Sequence, residues 1–129
     1  MMSKMRYFLV GIGGTMGSVS RWSVSYFLTI ESGFPFATLT ANLLGSFLLA
    51  YFYSKWSAKN EKAYLLIATG FLGSFTTFST LSIELLAFLI EKQWVSFLIY
   101  FAFTSMGGLL FAWIGFVFGR KRGGLVHGG

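Results

Sequence analysis

Apolar residues run along the chain in four long blocks separated by short polar breaks, at about residues 5–29, 36–54, 63–90 and 94–118. Each block matches or exceeds the roughly 20 residues that a helix needs to cross the hydrocarbon core of a bilayer. The second and fourth blocks, Phe36 to Ser54 and Trp94 to Phe118, contain no charge, and the only charges well inside the other two are Arg21 and Glu84. The connections, Ile30 to Pro35, Lys55 to Lys62 and Glu91 to Gln93, are so short that consecutive helices must be antiparallel neighbours. The pattern therefore predicts an all-α membrane protein with four transmembrane helices in a single domain over residues 1–122, with no soluble domain, linker or internal repeat. The first block is too long, and ends too polar, for a cleaved signal peptide. Residues 123–129 are glycine-rich, hold the lone His127, and read as a disordered tail or a cloning remnant.

Composition agrees with the pattern. The chain is 55% hydrophobic and 11% charged, with a mean hydropathy of +0.69, whereas soluble domains carry roughly 25% charged residues. There is no Cys, which excludes disulfides, thiolate metal sites and cysteine nucleophiles. The formal charge of +6 would suggest nucleic acid in a soluble protein, but these cations cluster at the ends of apolar runs, where they read as topology signals beside anionic lipid. Lys4, Arg6, Lys55, Lys59, Lys62, Arg120, Lys121 and Arg122 fall on the side of both termini, against Lys92 alone in the loops opposite. That bias predicts one orientation in the plasma membrane, with both termini cytoplasmic.

Three stretches are unusual for spans that only sit in lipid: GIGGTMGSVSRW (Gly11 to Trp22), FPFATLTANLLGSF (Phe34 to Phe47) and TGFLGSFTTFSTLSIE (Thr69 to Glu84). Small residues in the first let helix backbones approach closely. Asn42, in the middle of the second, needs partners for donor and acceptor alike, and interhelical bonding and pore lining both satisfy that need. In the third, Gly, Ser and Thr dominate from Gly73 to Thr80, which predicts a broken helix, because irregular backbone at membrane depth is tolerated where it is buried or lines a polar cavity. Phe71, Phe75 and Phe78 would share a face of a continuous helix, for packing or, through their electropositive ring edges, for lining an anion path. Arg21 and Glu84 lie eight and six residues before the ends of their spans, about 9 to 12 Å below the same surface. Each would cost roughly 2.5 to 3.5 kcal/mol at a bilayer centre, so a structural ion pair between them is expected.

Together, in this order and with four spans, the three stretches resemble the Fluc (CrcB) fluoride channel family. The resemblance implies a dual-topology dimer of two antiparallel subunits, a break in each third helix, two narrow fluoride pores and a central structural sodium ion. It implies that the backbone carbonyls of Gly73 and Thr76 hold the sodium, that Phe78 and Asn42 line the pore, and that Ser79, Thr80 and Thr38 stand near the path. Two positions depart from the family pattern. Leu81 replaces the second phenylalanine of the pore box, and the polar track of the fourth helix reads Tyr100, Thr104, Gly108, Ala112, so that its last two members lack hydroxyls. With the charge bias, these departures make the chain similar to one half of a pair of oppositely oriented subunits.

The function expected is passive, fluoride-selective conduction outward across the membrane, with lipid and a second, antiparallel subunit as partners and no nucleic acid. No catalytic constellation or phosphate loop is present, so an enzyme is not expected. Two alternatives are a four-helix exporter of the small multidrug resistance type, which needs a carboxylate in its first helix where this chain has Arg21, and a non-conducting assembly subunit of a heterodimeric fluoride channel.

Overall fold

The computed structural model describes residues 2–28, 34–56 and 60–124, and every regular element among them is helical. Helix α1 spans Met2–Phe27 and α2 spans Phe36–Trp56. A third, interrupted span comprises α3 (Glu61–Ala63), a π-helical stretch Tyr64–Leu72, the single turn α4 (Gly73–Phe75) and α5 (Ser79–Ile90), and α6 spans Trp94–Gly124.

Local chemistry sets most of these ends. The single proline, Pro35, precedes α2 and its carbonyl accepts the Leu39 N–H at 3.2 Å, as suits a residue whose fixed φ begins helices and cannot continue them backwards. Asn60 caps α3 by accepting the Ala63 N–H at 3.3 Å, satisfying a donor that the helix leaves free. At the end of α5, Lys92 adopts a left-handed φ of 60°, while the Gln93 and Lys92 N–H groups donate to the Phe88 and Leu89 carbonyls at 2.8 and 3.1 Å. This is a Schellman closure made without glycine, and it turns the chain directly into α6.

Packing follows the small residues. α1 lies against the π-helical stretch and α4, where a side chain at Gly17 would strike the Phe71 carbonyl and the Ser74 hydroxyl. α2 and α6 run parallel and touch through Gly115 and Gly119, whose positions a side chain would drive into the Phe47 and Tyr51 carbonyls. Such contacts replace the hydrophobic force that is missing between helices in lipid. Few side chains are buried, among them Ala41, Ala68, Leu72, Phe75, Phe88 and Tyr100, while large apolar residues such as Tyr7, Phe27, Leu109 and Trp113 stand exposed, as expected of a chain whose solvent is partly lipid.

Three helical segments are long and apolar enough to cross a membrane by length and composition: Phe36–Trp56, Glu61–Ile90 taken as one, and Trp94–Lys121. α1 has the length, at 26 residues, but Lys4, Arg6, Arg21 and its Gly and Ser positions dilute it. The fourth block continues past residue 118 as helix to Gly124, so part of the expected tail is helical. Thr29, most of the first connection, Lys59 and the tail with His127 lie outside the described residues.

Candidate functional site

The break in the third span falls between Gly73 and Ser79, where the sequence places it. Thr76 leaves the helix with φ −79° and ψ 154°, and regular structure resumes at Ser79. A gap of this kind leaves backbone groups unpaired at membrane depth unless something else bonds them. Asn42 of α2 does so. Its Nδ2 donates to the Thr77 carbonyl at 3.0 Å and its Oδ1 accepts the Thr77 N–H at 2.8 Å, a two-sided amide pairing across helices. The Thr77 hydroxyl then accepts the Thr80 N–H at 3.2 Å and caps the start of α5.

These bonds have a consequence for two carbonyls. In a continuous helix the Thr77 and Thr80 N–H groups would donate to Gly73 and Thr76. Here Asn42 and the Thr77 hydroxyl take them, leaving the Gly73 and Thr76 carbonyl oxygens without their ladder donors. Hard cations take oxygen ligands of this kind.

Beside the break lies a cleft of about 270 Å³ lined by Asn42, Ser46, Leu49, Thr76, Thr77, Phe78, Leu81 and Thr104. It unites four expected site residues, Asn42, Thr76, Phe78 and Thr104. Phe78 is 80% exposed and no longer shares a face with Phe71 and Phe75, which stack with ring centroids 5.9 Å apart before the break. The Thr104 hydroxyl is the one buried side-chain polar atom without a partner among the described residues. Ser79 and Thr80 stand at the start of α5, and neither lines the cleft. Gly108 lies opposite Ser46, whose hydroxyl would be 3.8 Å from an added Cβ, and Ala112 faces Ser46 and Leu49.

Thr38 and Tyr100 converge on Glu84. The Thr38 hydroxyl donates to one carboxylate oxygen at 2.7 Å and the Tyr100 hydroxyl to the other at 2.6 Å. Both protons are thereby committed to Glu84, and either hydroxyl must leave it to serve an anion. The Arg21–Glu84 ion pair expected from the sequence is absent. Arg21 Nε donates instead to the Ser74 carbonyl at 3.1 Å, and the ion pair found among the described residues joins Arg6 to Glu61 at 2.8 Å. Counting from span ends failed because α1 is held by its glycines against the π-helical stretch, which brings Arg21 level with the break.

Ser46, Ser74 and Thr77 escaped the sequence reading. Ser74 donates to the Gly14 carbonyl at 2.6 Å and so ties the break to α1. Ser46 was legible, since Thr38, Asn42 and Ser46 recur at four-residue steps along one face of α2.

The chain matches the family described as CrcB-like protein, Camphor Resistance (CrcB), over residues 8–116. It is similar to the fluoride-specific ion channel FluC 1 of Geobacillus kaustophilus (strain HTA426), 43% identical over 112 residues that cover 86% of this chain and 95% of that one. Bacillus thuringiensis subsp. konkukian (strain 97-27) has two similar proteins. Its fluoride-specific ion channel FluC 1 is 38% identical over 92% of this chain and 90% of its own, and its FluC 2 is 39% identical over 91% and 96%.

Replacing Asn42 with Leu keeps the branched shape and the heavy-atom count but strands the Thr77 N–H and carbonyl. Unpaired buried groups cost about 1 to 3 kcal/mol each, so the variant should unfold at a clearly lower temperature in detergent, with Asn42→Asp intermediate because it keeps the acceptor. Equal melting of Asn42→Leu and the parent chain would remove Asn42 from its place at the break.

Proposed function

The chain belongs to the CrcB family, and from that premise we propose that it is a subunit of a passive fluoride channel spanning the plasma membrane four times. The observation that carries the reading is the cleft beside the break, lined by Asn42, Phe78 and Thr104, the last with a buried hydroxyl that has no partner among the described residues. Fluoride gives up water only to donors of comparable strength. The Asn42 amide spends one hydrogen on Thr77 and keeps a second, the Thr104 hydroxyl has a proton to offer, and the Phe78 ring presents an electropositive edge. These groups replace lost hydration along a narrow path, and an inside-negative potential drives the anion outward. Nothing in this needs bond chemistry, and the protein is not an enzyme. The exporter alternative loses support because α1 contains no acidic residue.

The channel is an antiparallel dimer in this reading, with Phe78, 80% exposed in the single subunit, projecting toward the second copy or a homologue. The Gly73 and Thr76 carbonyls hold a structural sodium ion, which supplies a fixed positive charge at the centre of the assembly. Support comes from the two N–H groups withdrawn from them. A pair of differently numbered relatives in one strain, together with Leu81 beside Phe78 in the cleft and the missing hydroxyls at Gly108 and Ala112, favours the variant in which this chain is half of a heteromeric pair.

Liposomes containing the purified chain, alone or with a homologue of opposite charge bias, should release fluoride and retain chloride when a potential is imposed. Phe78→Ile should slow that release roughly tenfold, the kinetic equivalent of about 1.4 kcal/mol, without loss of helicity. Release of chloride at a similar rate, or no fluoride release in either preparation, would overturn the reading. If fluoride moves only with the homologue present, the chain is half of a pair.

Orientation follows from the eight cations on the side of the termini against Lys92 opposite, and we place both termini in the cytoplasm. The chain has no Cys, so Gln93→Cys and Lys62→Cys can be probed separately in intact cells with a membrane-impermeant thiol reagent. Labelling from outside should be confined to position 93. Comparable labelling at both positions would mean that copies insert either way and that the chain pairs with itself.

A further inference from the structure

α6 leaves the apolar region with a face that α2 does not cover. α2 packs on the side marked by Gly115 and Gly119. Around the helix from them, Trp113, Phe116, Val117, Arg120 and Lys121 line a groove of about 560 Å³. Trp113 is 65% exposed and Phe116 40%. Among the described residues, neither Arg120 nor Lys121 has a carboxylate partner. Glu61 is taken by Arg6, Glu84 by two hydroxyls, and Glu91 sits beyond α5 at the opposite end of α6.

We propose that this groove binds an anionic phospholipid, its phosphate between Arg120 and Lys121 and an acyl chain along Trp113, Phe116 and Val117. The polarity gradient matches that ligand. Trp113 lies seven residues before Arg120, about 10 Å along the helix axis, which is the separation between a phosphate and the upper part of its acyl chains. Arg recognises phosphate through paired N–H groups, and Lys adds a second fixed charge. A zwitterionic lipid would bring its own cation against these two. The simpler account, that the two cations only complement the negative C-terminal end of the α6 dipole, requires no apolar groove and no preference among lipids.

The test uses the full chain with Trp113 as its single tryptophan (W22F/W56F/W94F), its helicity verified by circular dichroism, in vesicles carrying brominated phosphatidylglycerol or brominated phosphatidylcholine. Bromine quenches indole fluorescence on contact. We expect the exchange to favour phosphatidylglycerol by roughly fivefold or more, the scale of one basic residue at an anionic surface. R120Q/K121Q should bring it close to parity, whereas K55Q, at the same end of the molecule on α2, should leave it unchanged. Native mass spectrometry of the unmodified chain gives a second readout, retention of phosphatidylglycerol over phosphatidylcholine, that needs no tryptophan substitution. Equal quenching by the two lipids, a preference that survives R120Q/K121Q, or quenching by neither lipid would overturn the site, the last by assigning the face to a second copy of the chain.

Discussion

One amide side chain carries the backbone of the third span across its gap. A helix that stops at Phe75 and restarts at Ser79 cannot leave its N–H and carbonyl groups bare at membrane depth, because no water is present to bond them. Asn42 answers with both ends of its side chain on Thr77. The Thr77 hydroxyl then starts α5, and Ser74 and Arg21 attach the near side of the gap to α1. The gap is thus held from three sides, by α1, by α2 and by the chain itself, and its irregular backbone is a fixed feature of the fold.

Two further features depend on that arrangement. Withdrawing the Thr77 and Thr80 N–H groups from the ladder leaves the Gly73 and Thr76 carbonyl oxygens without their helical donors, and turning the chain at Thr76 sends Phe78 away from the stacked Phe71 and Phe75 to the cleft that Thr104 also lines. A continuous helix would have offered neither. The same polar seam continues through Tyr100 and Thr38 to Glu84, where the carboxylate commits both hydroxyl protons. The partnerless hydroxyl of Thr104 therefore lies in the helix facing the break, and farther along the seam the hydroxyls serve a carboxylate.

Most of the architecture was legible in the sequence because each span must be apolar over its whole length, and a loss of apolarity, as from Gly73 to Thr80, stands out against that background. The break, the close approach of α1 through its glycines and the special position of Asn42 all followed. The π-helical stretch was not legible, since hydropathy does not record which carbonyl an N–H selects. Neither were the partners of Arg21 and Glu84. Counting residues from span ends put both charges at one depth, whereas close glycine contacts set the level of α1, and two hydroxyls satisfied Glu84 without any cation. Spacing along one helix was readable, as Thr38, Asn42 and Ser46 illustrate, but the register between helices depends on contacts that no single stretch encodes.

The proposed role of the break requires the Gly73 and Thr76 carbonyls to be free of the helical ladder and available to a cation. Carbon-13 labels at the Gly73 and Thr76 carbonyls, with a third at Ala87 inside α5 as reference, report this directly in the lipid-reconstituted full chain. Replacing sodium with N-methylglucamine should move the Gly73 and Thr76 resonances and leave Ala87 in place. Helical shifts at all three positions, indifferent to the cation, would contradict it.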